Sequence, residues 1–377
     1  MENEESVKKL DPEQNVLIRF IYPLWIVFDW FAQRPLVNVA LWFLLSMVFY
    51  GLGVYGDYFI LSKNPFITDV ERSIFQDAVL LPVLAYLINL NINIQSFVFL
   101  CLFILLLAYF AFAYLPRNDF GDYGSSLSLM VLALHPMMAF QFNFIGLVDG
   151  ISILFSGLLM FIHSPLGLAS MALIGVLNHP QMLIISVLIG ILRLSGGDKK
   201  FRLVHVISII GGVIIGFIVV RLYLEYFGLD IPVSRLMMML KPDIQFWLGM
   251  RLIELPLSVF TLYGGMIIIL LICIFYGYKY KPSFYLTFIL IQFISITLAL
   301  FTLDSTRVFG LISLPSVILC ILYTLEFAKR QNEDYSHLVM IFIIIIFTTF
   351  FVPKYYALGG NIFLYRSSEL FRNMLGQ

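Results

Sequence analysis

The chain has 377 residues, 61% of them hydrophobic and 12% charged, with no net charge at pH 7. Soluble domains run about 45–50% apolar and about 25% charged, so an ordinary soluble globule is excluded, and a mean hydropathy of +0.95 points to a polytopic membrane protein. No basic domain is present, so no nucleic acid partner is expected, and Cys101, Cys273 and Cys320 sit in apolar runs without the spacing of a disulfide framework or zinc site.

Apolar runs recur at about 20 residues, the length that spans a bilayer. They are continuous, unlike the alternating strands of outer-membrane barrels. In lipid every backbone polar group must be satisfied within its own segment or closed sheet. The expected class is therefore all-α, a transmembrane helical bundle of about eleven or twelve spans.

Residues 1–35 read as a cytoplasmic N-terminus with an interfacial helix. Met1–Gln14 is polar and lacks a cleavable signal pattern. Asn15–Phe31 mixes Leu, Ile, Phe and Trp with Arg19, Pro23 and Asp29, the composition of a helix lying at headgroup depth. The first span opens at Pro35 and Leu36, and residues 56–76 form the first loop. Asp77–Leu90 is apolar but short and contains Pro82, so it is either a short span or a re-entrant helix. Further spans are expected at 95–114, 124–141, 146–163, 165–177, 180–194, 203–228, 251–275, 284–302, 305–327 and 337–352. They divide into a module over 36–195 and a variable one over 196–352. An external amphipathic tail, 353–377, carries Lys354, Arg366 and Arg372, and no large soluble domain is expected at either end.

Orientation follows from Lys and Arg in short loops. Asp198–Arg202, Lys279–Lys281 and Ala328–Arg330 alternate with the spans and are assigned to the cytoplasm, with Lys8, Lys9, Arg19 and Arg34. The first loop, Leu229–Met250 and Leu303–Arg307 then face outward. The parity holds if 77–90 is re-entrant or if 165–194 is one long helix broken at Pro180; the first choice, which is favoured, also puts Phe140–Gly150 and Asn178–Gln181 outside.

Four constellations can carry chemistry. The first is Asp69-Val70-Glu71 with Arg72 and Asp77. Paired carboxylates bind a divalent cation or supply a general base; a solvated loop with a local Glu–Arg pair is the bland alternative. The second runs from His135 through Asn143 to Asp149, where His135 reads equally as a helix-end residue and Asp149 as an N-cap. The third, Asn178-His179-Pro180-Gln181, sets polar side chains at a proline break at membrane depth. In the fourth, Asp304-Ser305-Thr306-Arg307, the arginine can grip a phosphate bidentately or simply pair with Asp304. Arg235, Lys241, Arg251 and Glu254 lie in or beside the large outer loop, where the cations can line a lipid-phosphate site. Arg221 and Glu225, four apart, read as a structural ion pair inside the bundle. Walker, dinucleotide and His-Glu-x-x-His motifs are all absent from the sequence, which leaves nucleotide-driven transport and zinc proteolysis unsupported.

The first-loop stretch Thr68–Ala78 resembles the first-loop motif of GT-C glycosyltransferases. It is closest to the form in dolichol-phosphate-mannose-dependent mannosyltransferases, where an acid-x-acid pair precedes a Phe-x-Asp-Ala run. Gly146–Phe155 resembles the Gly-x-x-Asp-x-x-x-x-Leu-Phe segment common in bacterial members, and Gly175–Gln181 their later Lys/His-Pro-Gln segment. The order and spacing agree over residues 36–195. Glu71 stands where a second Asp is common.

The resemblance implies an inverting glycosyltransferase that moves a sugar from a polyprenyl-phosphate donor to a glycan, lipid or protein acceptor. Asp69 would be the general base, with Glu71 assisting. Arg72, Asp77, His135, Asn143, Asp149, His179, Gln181, Arg235, Arg251, Asp304 and Arg307 would bind substrate, without metal or other cofactor. The expected setting is a multi-pass protein among membrane lipids, in a bacterial inner membrane with its site facing the periplasm, serving cell-envelope polysaccharide. Two other readings fit the pattern: an O-antigen or capsule polymerase relying on Arg and His, and a transporter or flippase with a site at its broken helices.

Overall fold

The computed structural model describes residues 16–69, 75–197, 200–229, 260, 262–300, 305–331, 336–351, 355–358 and 361–364. Apart from one hairpin, these residues fold as helices. In chain order they are α1 (Val16–Ala32), α2 (Pro35–Tyr50), α3 (Asp57–Lys63), α4 (Leu80–Leu87), α5 (Ile94–Tyr114), α6 (Arg117–Leu134), α7 (Pro136–Asn143) and α8 (Asp149–Phe161). There follow α9 (Pro165–Asn178), α10 (Met182–Gly196), α11 (Leu203–Tyr226), α12 (Met266–Gly277), α13 (Pro282–Leu300), α14 (Ser305–Arg330) and α15 (Ser336–Phe351). Strands β1 (Tyr355–Leu358) and β2 (Asn361–Leu364) pair antiparallel, and β1 lies against α7 and α14.

Four of the described helices, α5, α11, α13 and α14, are long and apolar enough to cross a membrane. Six spans result if each of two bent pairs counts as one: the Tyr22–Ala32 part of α1 with α2, bent by 109°, and α6 with α7, bent by 53°. This fits a multi-pass membrane protein. Helices α8, α9, α10 and α12 are apolar but only 12 to 15 residues long. Helix α4, in the stretch whose span was ambiguous, has eight residues. At 1.5 Å per residue it covers about 12 Å, well short of a ~30 Å hydrocarbon core.

Local chemistry explains the breaks. Proline opens α2, α7, α9 and α13, where its missing N–H costs nothing. The Asn93 side chain caps α5 by accepting from the Ser96 N–H at 2.8 Å, and Ser164 caps α9 through the Gly167 N–H at 3.3 Å. Helix α10 ends on Gly197, whose φ of +72° suits a left-handed C-terminal residue.

The core is built around α14, which is buried along its whole apolar length and touches α6, α7, α8, α10, α12 and α13. Close approach needs small residues: a Cβ on Gly310 of α14 would strike Met137 of α7, and one on Gly196 would strike the Tyr323 ring. Two polar side chains of α14 are paired inside the bundle. Ser316 accepts from Gln292 at 2.6 Å, and Thr324 hydrogen-bonds Tyr285 at 2.7 Å. Helix α11 is the opposite case, presenting Ile207, Ile214, Phe217 and Leu222 outward, as expected of a lipid-facing surface.

Arg221 and Glu225 do not form the interior pair expected from their spacing. Both residues lie on that exposed side, Arg221 sits 5.2 Å from the Phe217 ring centroid, and they form no ion pair. Four-residue spacing sets two side chains on one helix face, but the packing of α9 against the opposite face of α11 turned this one outward.

Candidate active site

Helices α8, α9 and α10 run back and forth between two polar poles. Asp149 opens α8, Asn178 closes α9, and His179 stands in extended backbone between α9 and α10. Arg307 lies in the first turn of α14. These four residues converge although five described helices, α9 to α13, lie between Asp149 and Arg307 along the chain.

Arg307 holds Asp149 through both of its faces, with Nε donating to Oδ2 at 2.5 Å and Nη2 to Oδ1 at 3.1 Å. The fork-to-carboxylate geometry makes this a strong charge-assisted pair. Asp149 and Asn178 are 0% exposed, His179 2% and Arg307 8%. Asp149 is therefore not the N-cap that its position before an apolar run allowed; Val148 occupies that place.

His179 meets the same guanidinium, with Nε2 at 3.3 Å from Arg307 Nη2. Its other nitrogen, Nδ1, accepts the Gln181 backbone N–H at 3.1 Å. A neutral imidazole with Nδ1 accepting carries its proton on Nε2. Two buried nitrogens thus face each other beside the Asp149 carboxylate.

The other histidine–arginine contact, at the opposite pole, is fully complementary. His163, just beyond α8, donates from Nε2 to Asp119 at 2.7 Å and accepts at Nδ1 from Arg193 Nη2 at 3.1 Å. Arg193 Nη1 donates to the Leu159 and Ile162 carbonyls at 2.8 and 2.7 Å, and its guanidinium covers the Phe201 ring at 4.2 Å. Lys200 bonds Asp119 at 2.7 Å, and His205 Nε2 donates to the His163 carbonyl at 2.9 Å. This lock ties α6, α8, α10 and α11 together. It was not foreseen, although Arg193 inside an apolar run was the available signal.

The first loop is stitched to the Asp149 pole. Val79 N–H donates to the Leu177 carbonyl at 2.9 Å, beside Asn178, and Gln76 bonds the Ile67 carbonyl at 2.8 Å. Tyr223 near the end of α11 donates to the Pro65 carbonyl at 2.7 Å, and Thr68 donates to the Gly228 carbonyl at 3.3 Å. Asp69 and Asp77, both half-buried, lie on the segments held by these bonds. Glu71, Arg72, Arg235, Arg251 and Asp304 lie outside the described residues, as do Lys241 and Glu254.

Two predicted substrate ligands have structural bonds. His135 caps α7 by accepting the Met137 N–H at 3.1 Å. Asn143 donates to the Tyr50 and Ala139 carbonyls at 2.9 Å each. Asn143 thereby ties the end of α2 to α7, next to the junction of residues 51–55 with 142–147, where Gly53 N–H donates to the Phe142 carbonyl at 3.0 Å and Tyr55 N–H to the Ile145 carbonyl at 2.8 Å.

Tyr55 and Asp57 were not singled out in the sequence. Burial and a hydrogen bond to the Asp57 carboxylate hold the Tyr55 phenol above its ordinary pKa, while the charge of Arg307 pulls it down. Tyr55 therefore stands within electrostatic reach of the arginine. Their only signal was position, directly after the first span. Among the described residues no group of three or more His, Cys, Asp or Glu side chains is arranged to hold a metal ion.

No family model, no curated protein and no solved structure matches this chain.

Proposed function

We propose that this chain is an integral membrane glycosyltransferase of GT-C type, moving a sugar from a polyprenyl-phosphate donor to an acceptor hydroxyl at the non-cytoplasmic surface. The observation that carries the reading is the buried convergence of Arg307 Nη2 and His179 Nε2 beside Asp149. Preorganised donors in a low-dielectric site are worth most where negative charge develops. The departing lipid phosphate is such a charge.

In the reaction, the acceptor oxygen bonds to the anomeric carbon as the bond from that carbon to the phosphate oxygen breaks. The hydroxyl proton passes to a carboxylate, assigned to Asp69 with Glu71 assisting, and the bonding electrons leave on the phosphate. Asp149 fixes the arginine so that one edge of its fork serves the phosphate. No cofactor is required. The short apolar helices and their polar breaks supply the remaining passages of an eleven- or twelve-span bundle, and a bacterial inner membrane is the proposed setting.

The broken helices at His135–Pro136 and His179–Pro180 also suit a transporter. Proteoliposomes loaded with a radiolabelled polyprenyl-phosphate sugar and an acceptor separate the two. Glycosidic product that disappears in Asp69→Asn and Arg307→Gln is expected. Movement of the intact donor across the bilayer, without product, would remove the enzyme reading.

A further inference from the structure

Two buried side-chain oxygens without a hydrogen-bond partner belong to residues on either side of His179 in the chain: Asn178 Oδ1 and Gln181 Oε1. The Asn178 amide cannot be turned around. Its Nδ2 donates to the Val148 carbonyl at 2.8 Å and to Ser152 Oγ at 2.9 Å. A flip would set Oδ1 against the Val148 carbonyl, acceptor facing acceptor. The orphan is therefore the oxygen. A buried acceptor without a donor is destabilising, and native proteins keep few of them without a reason.

Their placement supplies the reason. Val148 precedes Asp149, and Asn178 precedes His179, so the anchored amide joins the two helix ends that carry the cluster. Gln181 lies on the other side of His179 and orients that ring with its own backbone N–H. Donors and orphan acceptors thus adjoin within one short segment. A phosphate oxygen satisfies only the donors. Hydroxyl groups satisfy the acceptors. A sugar joined to a phosphate brings both.

We infer that Asn178 Oδ1 and Gln181 Oε1 accept hydrogen bonds from hydroxyls of the sugar on the lipid phosphate, so that this segment recognises the sugar being transferred. Half-buried Gln181 meets the ligand first. Asn178, sealed from solvent here, is reached when the Arg307–His179 contact opens around the phosphate. The inference rests on the reading of Arg307 and His179 as phosphate ligands.

The test measures binding to the full chain in lipid nanodiscs. The ligands are farnesyl methyl phosphate, a phosphodiester without hydroxyls, and farnesyl phosphodiesters of mannose and glucose. One of the sugar ligands should bind more tightly than the methyl ester. Gln181→Met should weaken that ligand about tenfold and leave the methyl ester within about twofold, the scale of one hydrogen bond. Gln181→Glu, which keeps an acceptor, should restore the preference. Equal weakening of all ligands by Gln181→Met, or no preference for either sugar in the unmodified protein, would overturn the inference. Arg307→Gln should weaken all three ligands. If it changes none, the phosphate reading fails whatever Gln181 does.

Discussion

Asp149 and Arg307 are 158 residues apart in sequence, and their side chains meet at 2.5 Å in a place closed to solvent. This bond joins the first turn of the central helix to the helix that opens the site. The carboxylate neutralises the arginine without occupying all of its donors, which leaves Nη2 directed also at His179.

Removing one partner strands a buried charge. Arg307→Met should lower stability by about 3–5 kcal/mol, and Asp149→Leu by a similar amount. The double substitution should recover much of that loss, because no uncompensated charge remains. Thermal unfolding in detergent, followed across the four proteins, measures the coupling. Additive losses would mean that the pair is not a unit.

Asp69 is assigned to proton transfer, and its side chain is half-buried on a loop. Asp69→Asn keeps size and polarity but cannot take a proton near neutral pH. Transfer should fall by about 10²–10⁴-fold, the usual contribution of a positioned base, with membrane insertion and helix content unchanged. Near-normal turnover by this variant would move the base elsewhere, with Asp57 the next carboxylate to test.

The lock at the far pole should prove structural. Arg193→Leu leaves the Leu159 and Ile162 carbonyls and His163 without their donor. A loss of at least about 3 kcal/mol is expected from the unsatisfied buried groups. Lysine lacks the planar fork that reaches three acceptors, so Arg193→Lys should recover little. Binding of farnesyl methyl phosphate should stay within about twofold of the unmodified protein. A large loss of binding would show that the two poles are coupled.

Gly146 separates steric from conformational demands. Its φ is +113°, and a Cβ there would strike the Tyr55 carbonyl, backbone against backbone. Gly51 has a φ of +71° but open space around it. Gly146→Ala should destabilise by more than about 2 kcal/mol, and Gly51→Ala by about 1 kcal/mol. Equal effects would show that the junction of 51–55 with 142–147 tolerates displacement.

Much of the helical plan is written locally. Long apolar runs such as Ile94–Tyr114 and Leu203–Tyr226 announce themselves, because a helix that satisfies its own backbone and has an apolar surface is stable in lipid by itself. The breaks at Pro136 and Pro180 follow from chain chemistry as well. Candidate polar residues also stand out, since few are embedded in such runs. Their partners do not. Arg307 bonds Asp149, 158 residues away, a partner that no local spacing indicates, while Asp304 lies outside the described residues. The i, i+4 spacing of Arg221 and Glu225 suggested an interior pair, and both face outward. Arg193, passed over in the sequence, anchors a five-residue network.

Sequence alone thus determined that the chain is apolar, helical and suited to a membrane, and that its polar groups concentrate at a few helix ends. Tertiary structure alone decided which of them meet. Apolar burial depends on one segment at a time and leaves a periodic trace along the chain. The meeting of Asp149, His179 and Arg307 depends on how helices far apart along the chain are packed, and no local pattern encodes that distance.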